Sequence, residues 1–336
     1  MKVLSLFDGM ACGMIAMQFA GMEVESYDAY EIDKYAIKTA QHNFPMIKEH
    51  GDVFEADFTQ YEGVDFLIGG SPCTYWSIAQ TKNRETVASG MGWELFSQYV
   101  RALHEAKPKY FIYENNKSMS KDIRASIDKT FGFEAVLINS ALVSAQNRQR
   151  LYWVGKRNDD GTYSKVMVDQ PEDRGILLRD ILESGIAWHE KSYCITATEY
   201  KGSNPQQTLT KHRRTMVAEP VEPRCVAQCG RYPENPKLRV AGLPTEQMFE
   251  AREDGKTHQV YEVRNGLITI KGKQYPIKLK DGYYIIRKLT VRECMRLQTV
   301  PEWYEFPVSN SQAYKMLGNG WTVDVIAHIL KGLKEA

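Results

Sequence analysis

The sequence predicts an α/β fold: a doubly wound, mostly parallel, Rossmann-like sheet with a second, smaller domain that is mostly β or irregular. Three observations predict it. Short apolar runs alternate with helical stretches through the first 170 residues, the pattern of parallel strands joined by crossover helices. From about Pro171 the periodicity weakens and prolines and glycines cluster (Pro205, Pro220, Pro223, Gly230, Pro233, Pro236), which marks a change of architecture. Helical pattern then returns at Thr290–Gln298 and Val323–Leu333. The expected divisions are 1–170, 171–286 and 287–336, the last segment returning to the first domain.

The elements follow in order. Val3–Phe7 reads as a strand, and Gly13–Ala20 as a helix stopped by Gly21. Val24–Tyr30 is a second strand, followed by a helix from Asp33 to about His42, before Pro45. Val64–Ile68 is a strand, the helix Trp93–Ala106 stops at Pro108, and Tyr110–Tyr113 is the next strand. Glu134–Asn139 and Leu151–Gly155 finish the sheet. The polar stretch Ser77–Gly90 is too long for a tight connection and reads as a mobile lid. In the second domain, Leu267–Ile270 and Tyr283–Ile286 are short β-like runs. In the terminal helix Val325, Ile326, Ile329, Leu330 and Leu333 form one apolar stripe, which predicts that it packs back onto the first domain.

The 336 residues are 43% hydrophobic and 25% charged, with net charge +1. A globally basic nucleic-acid binder is thereby excluded, and any such contact must come from a local patch. No apolar run approaches membrane-spanning length. The six cysteines (Cys12, Cys73, Cys194, Cys225, Cys229, Cys294) lack framework spacing, which with no leader peptide suggests a reducing cytosol. Cys225 and Cys229 have no second pair or His pair beside them and read as unligated thiols, so no metal is expected.

The strongest chemical signal is Gly69-Gly70-Ser71-Pro72-Cys73. A buried strand ending this way delivers one thiol, on a stiff turn, to the sheet edge. Such a cysteine reads as a nucleophile. The loop Phe7-Asp8-Gly9-Met10-Ala11-Cys12-Gly13 opens strand one into a helix, where glycines let backbone N–H groups approach a ligand. Glu31, ending strand two, stands where such folds accept bonds from ribose hydroxyls, and Asp52 could accept from an adenine amino group. Either alone reads equally well as a solvated turn residue. Glu114, in Tyr113-Glu114-Asn115-Asn116, is a candidate general acid or a helix cap. Period two places Arg148 and Arg150 on one strand face, suited to an anion, a carbonyl oxygen or a thiolate, or simply to solvent.

In this order the segments resemble the DNA cytosine carbon-5 methyltransferase family, bacterial or phage type. The likeness leaves only about 158–282 without a counterpart. Phe7–Gly13 is similar to the family's S-adenosylmethionine loop, Glu31–Tyr35 to its ribose-and-adenine segment, and Pro72-Cys73 to its nucleophile motif. Glu114-Asn115 is similar to its base-protonating motif, and Gln146–Arg150 to its Gln-x-Arg-x-Arg motif. Arg287–Gln298 resembles the support of the target-recognition domain, and Ser311–Gly320 the last cofactor motif. Three departures stand out. Asn116 replaces the usual Val, Asp8 and Cys12 stand where many members have Ala or Gly, and Gly320-Trp321 replaces Ser-Val. The last, with Leu6–Gly9, is closer to the animal de novo methyltransferases.

The resemblance implies transfer of a methyl group from S-adenosylmethionine, leaving S-adenosylhomocysteine, to carbon 5 of a flipped-out cytosine in double-stranded DNA. Cys73 would be the nucleophile, Glu114 would engage ring nitrogen 3, Asn115 and Arg150 would orient the base, and Arg148 would support the site. The cofactor would be held by Phe7, Asp8, Gly9, Met10, Cys12 and Gly13, with Glu31, Ile32, Asp52 and Val53. Pro72, Leu95, Asn319, Gly320 and Trp321 would complete its site. DNA contacts are expected from Gln80, Lys82 and Arg84 in the lid. Others are expected from Lys211, Arg213 and Arg214 in the variable region, where Glu190–Val240 holds nine basic against five acidic residues. The implied setting is the cytoplasm of a bacterial or phage-infected cell. A restriction endonuclease partner, a protective phage role and a regulatory role fit equally, and no oligomeric state is indicated. Three other readings stay open on residues alone: a nucleotide-dependent dehydrogenase, a non-catalytic DNA-binding relative, and the same chemistry on RNA.

Overall fold

Eight strands form the larger sheet of the computed structural model, which describes residues 1–78, 84–201, 205–211, 213–221, 248–251 and 257–335. They are β1 (Lys2–Leu6), β2 (Ser26–Tyr30), β3 (Lys48–Glu49), β4 (Phe66–Gly69), β5 (Tyr110–Asn116), β6 (Val136–Asn139), β7 (Gln149–Arg157) and β8 (Tyr163–Lys165). The order is β3-β2-β1-β4-β5-β7-β6, with β8 beside β7. Strands β1 to β5 are parallel, and β7 runs antiparallel between β5 and β6. Chain order reverses at the β1–β4 junction, so the crevice beyond their C-terminal ends is a topological switch point, where such sheets bind ligands.

Strand alternation builds a core on each face. Val3, Phe66, Ile68, Tyr110 and Ile112 face a core with α1 (Cys12–Phe19), while Leu4, Leu6, Leu67, Phe111 and Tyr113 face the other. The second core is covered by α3 (Gly90–Ala106) and α4 (Lys121–Phe131) through Phe96, Tyr99, Ile123 and Ile127. Helix α2 (Lys34–Asn43) lies between β2 and β3 in sequence. Four short helices follow: α5 (Leu178–Ile181), α6 (Pro205–Lys211), α7 (Val291–Leu297) and α8 (Asn310–Asn319). The terminal helix α9 (Val323–Glu335) buries the expected stripe, packs on α1 and completes the first core. No helix among the described residues is long and apolar enough to cross a membrane.

The smaller sheet is antiparallel, in the order β13-β12-β11-β14-β9 with β10 against β11. Its strands are β9 (Met216–Val221), β10 (Met248–Ala251), β11 (Thr257–Arg264), β12 (Leu267–Ile270), β13 (Lys273–Pro276) and β14 (Gly282–Lys288). Trp188, Met216, Tyr261, Val263, Ile268 and Tyr284 form its core. Arg287 fastens this sheet to α7, bonding Glu219 at 2.6 Å and the fully buried Glu293 at 2.8 Å. Glu293 also closes a reciprocal cap with Thr290 at the start of α7.

Three local expectations shift. Helix α3 starts at Gly90 rather than Trp93 because the Glu85 carboxylate accepts the Gly92 N–H. Strand β5 runs on to Asn116 because β7 pairs with it that far. Arg148 lies one residue before β7, so the strand itself carries only Arg150 of the pair.

Candidate active site

At the β1 end of the crevice, the loop after β1 is held in an uncommon conformation. Phe7 and Ala11, both at φ 58°, join Gly9 in the left-handed region, a cost for side-chain-bearing residues that surrounding bonds must impose. Here Phe7 N and Asp8 N donate to Tyr30 O at 2.8 and 3.3 Å, and Gly9 N donates to Glu31 Oε2 at 2.9 Å. The other Glu31 oxygen accepts from Ile32 N and Asp33 N. Glu31 therefore ties the loop to the end of β2.

Asp8 Oδ1 accepts from Ser5 Oγ and Tyr27 Oη, while its Oδ2 is buried with no partner among the described residues. Glu49, beside Ala29, has both oxygens buried and likewise unpartnered among the described residues. Burial, with the Glu31 charge adding to it, pushes Asp8 up to about 6 against the Ser5 and Tyr27 bonds. Burial, then Asp8 and Glu31, push Glu49 up to about 8.

Other residues of the loop serve packing. A Cβ on Gly13 would stand 2.4 Å from Ile68 Cδ1, so glycine lets α1 lie against the sheet. Met10 and Cys12 are buried, and burial pushes the Cys12 thiol up to about 12. Phe7, Asp8, Gly9 and Leu95 are half-buried, Val53 is buried, and Ile32, Pro72 and Asn319 are exposed. Asp52 Oδ1 caps the turn that follows through Phe54 N at 3.0 Å.

At the cysteine end, β4 and β5 place Gly69 opposite Tyr113. A Cβ on Gly70 would meet Glu114 O at 2.8 Å and Glu114 Oε2 at 2.9 Å, so only glycine lets the two segments close. Asn115 Nδ2 donates to Ser71 O at 3.2 Å, Ser71 Oγ bonds Tyr113 Oη at 2.6 Å, and Asn116 Nδ2 donates to Asn115 Oδ1 at 3.1 Å. Asn116, the departure from the family's usual Val, thus locks the neighbouring amide. Cys73 opens a 3₁₀ turn, Cys73–Tyr75, beside this network.

Arg150 Nε meets Glu114 Oε1 at 3.1 Å, and Trp321 Nε1 donates to Glu114 Oε2 at 2.8 Å. The buried Arg148 donates to three carbonyls, Ile195 O (3.1 Å), Gly318 O (3.1 Å) and Gly320 O (2.8 Å). Both arginines also reach Cys194 Sγ, at 3.3 Å from Arg148 and 3.9 Å from Arg150. The two guanidiniums therefore converge on one sulfur.

The arginines favour a nearby thiolate, as their residue type predicts. Burial nonetheless pushes Cys73 up, with Arg150 and Arg148 opposing and Glu114 adding. Cys194 is the thiol held low: burial works against its ionisation, and Arg148 and Arg150 outweigh it. Cys194 had no motif to reveal it. Nor did the amide lock in which Gln146 Nε2 and Thr322 Oγ1 bond Gln298 Oε1 while Gln298 Nε2 donates to Gly320 O.

Of the expected DNA contacts, Arg84 donates to Trp76 O and Ser118 O, and Glu85 holds Trp76 Nε1, so the described end of the lid is pinned. Lys211 and Arg213 are exposed, and Arg214 bonds Thr198 Oγ1 at 2.9 Å. Gln80, Lys82, Cys225 and Cys229 lie outside the described residues. No group of three His, Cys, Asp or Glu among the described residues is placed to hold a metal ion.

A switch-point crevice holding a thiol, a bonded carboxylate and two arginines defines a group-transfer enzyme with a candidate nucleophile. The family model for C-5 cytosine-specific DNA methylase matches residues 1–335. An orphan methyltransferase of Bacillus phage SPR is 34% identical, over 99% of this chain and 97% of that one. A type II methyltransferase of Lactococcus lactis subsp. cremoris is 30% identical, over 99% and 78%. Among solved structures, a Spodoptera frugiperda DNMT2 variant shares the fold, with TM-score 0.59 and 18% identity over 99% of both chains. The chain belongs to the C-5 cytosine-specific DNA methylases and is an enzyme that methylates carbon 5 of cytosine in DNA with a methyl donor of the S-adenosylmethionine type.

Proposed function

We propose that this chain acts on duplex DNA through a covalent Cys73 adduct on a flipped-out cytosine, with S-adenosylmethionine itself as donor. The observation that carries the reading is the meeting of the Cys73 turn, the Glu114 carboxyl and Arg150 at one strand edge. Carbon 5 of cytosine is a poor nucleophile. Bond formation between the Cys73 sulfur and carbon 6, with Glu114 engaging nitrogen 3, makes carbon 5 enamine-like. After substitution there, loss of the carbon-5 proton to water and of the carbon–sulfur bond restores the ring and the thiolate. Asn115 fixes the nucleophile turn through Ser71 O, Arg150 orients the acid, and Arg148 braces the surrounding backbone. A paired base cannot reach Cys73, so flipping costs a few kcal/mol of unstacking.

The cofactor end fits a cationic donor. Asp8 keeps a buried carboxylate oxygen without a partner among the described residues and, raised only to about 6, is charged at neutral pH. Its field suits a sulfonium and repels the pyrophosphate of a dinucleotide, and Glu49 adds to it only above about pH 8. This argues against a dehydrogenase. Phe7, Asp8, Gly9, Glu31, Ile32 and Asp52 would hold the donor, with Trp321 beside Glu114. Bound S-adenosylmethionine supplies an electrophilic methyl group. The smaller sheet, with Lys211 and Arg213 exposed before β9, is the proposed target-recognition unit.

Duplex DNA carrying 5-fluorocytosine tests the mechanism, because fluorine cannot leave as a proton does. In the presence of donor it is expected to trap wild-type protein as a denaturation-resistant complex. Cys73→Ala is expected to form none and to lose at least about a thousandfold in methyl transfer. No trapped complex with the wild type overturns the proposal.

A further inference from the structure

We infer that Trp321 is a positioning residue for Glu114, holding the carboxyl through its indole N–H in the place where it meets the base. The inference rests on the role proposed for Glu114. It goes beyond the cofactor contact that the Trp321 segment suggests.

The two oxygens of Glu114 have separate donors, Arg150 Nε on Oε1 at 3.1 Å and Trp321 Nε1 on Oε2 at 2.8 Å. The carboxylate side chain is only 11% exposed, so water cannot readily replace either bond. A Cβ on Gly70 would lie 2.9 Å from Oε2 and 3.5 Å from the indole nitrogen, so no side chain can enter from that side. The backbone that carries the indole is clamped on both flanks. Gly320 O accepts from Arg148 Nη2 and Gln298 Nε2, at 2.8 and 2.9 Å, and Gly320 N donates to Met316 O at 2.7 Å. Thr322 Oγ1 bonds Ser140 Oγ and Gln298 Oε1. The indole N–H is therefore aimed by rigid structure rather than by side-chain chance. An indole nitrogen donates only, so rotation of Glu114 away would strand a partly buried donor. The valine that usually stands at this place has no N–H and cannot make the bond.

The test is a double-mutant cycle in single-turnover methyl transfer to a duplex oligonucleotide. The wild type, Trp321→Phe, Glu114→Gln and the double variant are compared, with KM for S-adenosylmethionine measured alongside. Trp321→Phe keeps an aromatic ring and removes the donor. The rate is expected to fall about tenfold to a hundredfold, the range for a hydrogen bond to a charged group, with donor KM within twofold of wild type. In the Glu114→Gln background the same change is expected to cost little more. Trp321→His, which keeps a ring N–H, is expected to recover part of the rate, and this comparison stands even if the Phe variant folds poorly. A raised donor KM with unchanged rate, equal losses in both backgrounds, or no difference between His and Phe overturns the inference. Full activity of Glu114→Gln would instead overturn the role assigned to Glu114, a separate failure.

Discussion

The two ends of the crevice treat their polar groups in opposite ways. Beside the β1 loop, the proposed cofactor end, Asp8 and Glu49 keep buried oxygens without partners among the described residues. At the cysteine end the protein's own donors and acceptors are already matched: Glu114 by Arg150 and Trp321, Asn115 by Ser71 and Asn116, Arg148 by three carbonyls. One region leaves buried carboxyl oxygens unmatched, which is costly to fold. The other is rigid before any base arrives, which is how a site fixes reacting groups in advance. The difference shows that unmatched buried carboxyls weaken the fold at one end while matched bonds strengthen it at the other.

Removing the centre of the rigid end should have the largest effect. Arg148→Met leaves the carbonyls of Ile195, Gly318 and Gly320 without this donor in a buried setting. A loss of about 3–5 kcal/mol in unfolding free energy by urea titration is expected, the scale for breaking a buried charged network. A change below about 1 kcal/mol would show that the contrast between the two ends is only apparent.

The unmatched end gives a smaller effect that depends on pH. Asp8 is raised to about 6 and Glu49 to about 8, so the folded chain holds protons that the unfolded chain releases nearer pH 4. Stability from these groups is full below about pH 4 and is lost as pH rises through 6 and then 8. Glu49→Gln should therefore leave Tm nearly unchanged at pH 4.5 and raise it at pH 8.5, on the order of 5 °C. S-adenosylmethionine should raise the wild-type Tm more than that of the variant at pH 8.5, since it loses a countercharge there. Equal shifts at both pH values would remove Glu49 from the cofactor field.

Much of this was legible in order along the chain, because strand ends carry their chemistry locally. Gly69–Cys73 and Tyr113–Asn116 were each read alone, and the parallel pairing of β4 with β5 makes them neighbours. The apolar stripe of α9 likewise announced its packing. What sequence could not show were bonds between distant segments: Trp321 to Glu114, Gln146 to Gln298, and Cys194 beneath both arginines. Period two brings the two arginines together, but the thiol on which they meet has no sequence signal of its own. Gly13 also meets a steric demand from Ile68 and Tyr27 that has no sequence signature.

The smallest effect concerns which thiol benefits from the arginines. Cys73 and Cys194 are both half-buried, yet Arg148 and Arg150 hold Cys194 below the usual thiol range while burial holds Cys73 above it. Alkylation requires the thiolate. With limiting iodoacetamide at pH 7.5, peptide mass mapping should therefore find Cys194 labelled before Cys73, and the gap should narrow at pH 9.5 as Cys73 ionises. Cys194→Ser removes the competing thiolate and leaves a neutral hydroxyl, so the guanidinium field falls more fully on Cys73. Its labelling at pH 7.5 should then rise on the order of twofold to fourfold, as its thiolate fraction increases. If Cys73 reacts first at neutral pH in the wild type, the arginines serve the nucleophile directly, and the cysteine end is not as closed upon itself as its hydrogen bonds imply.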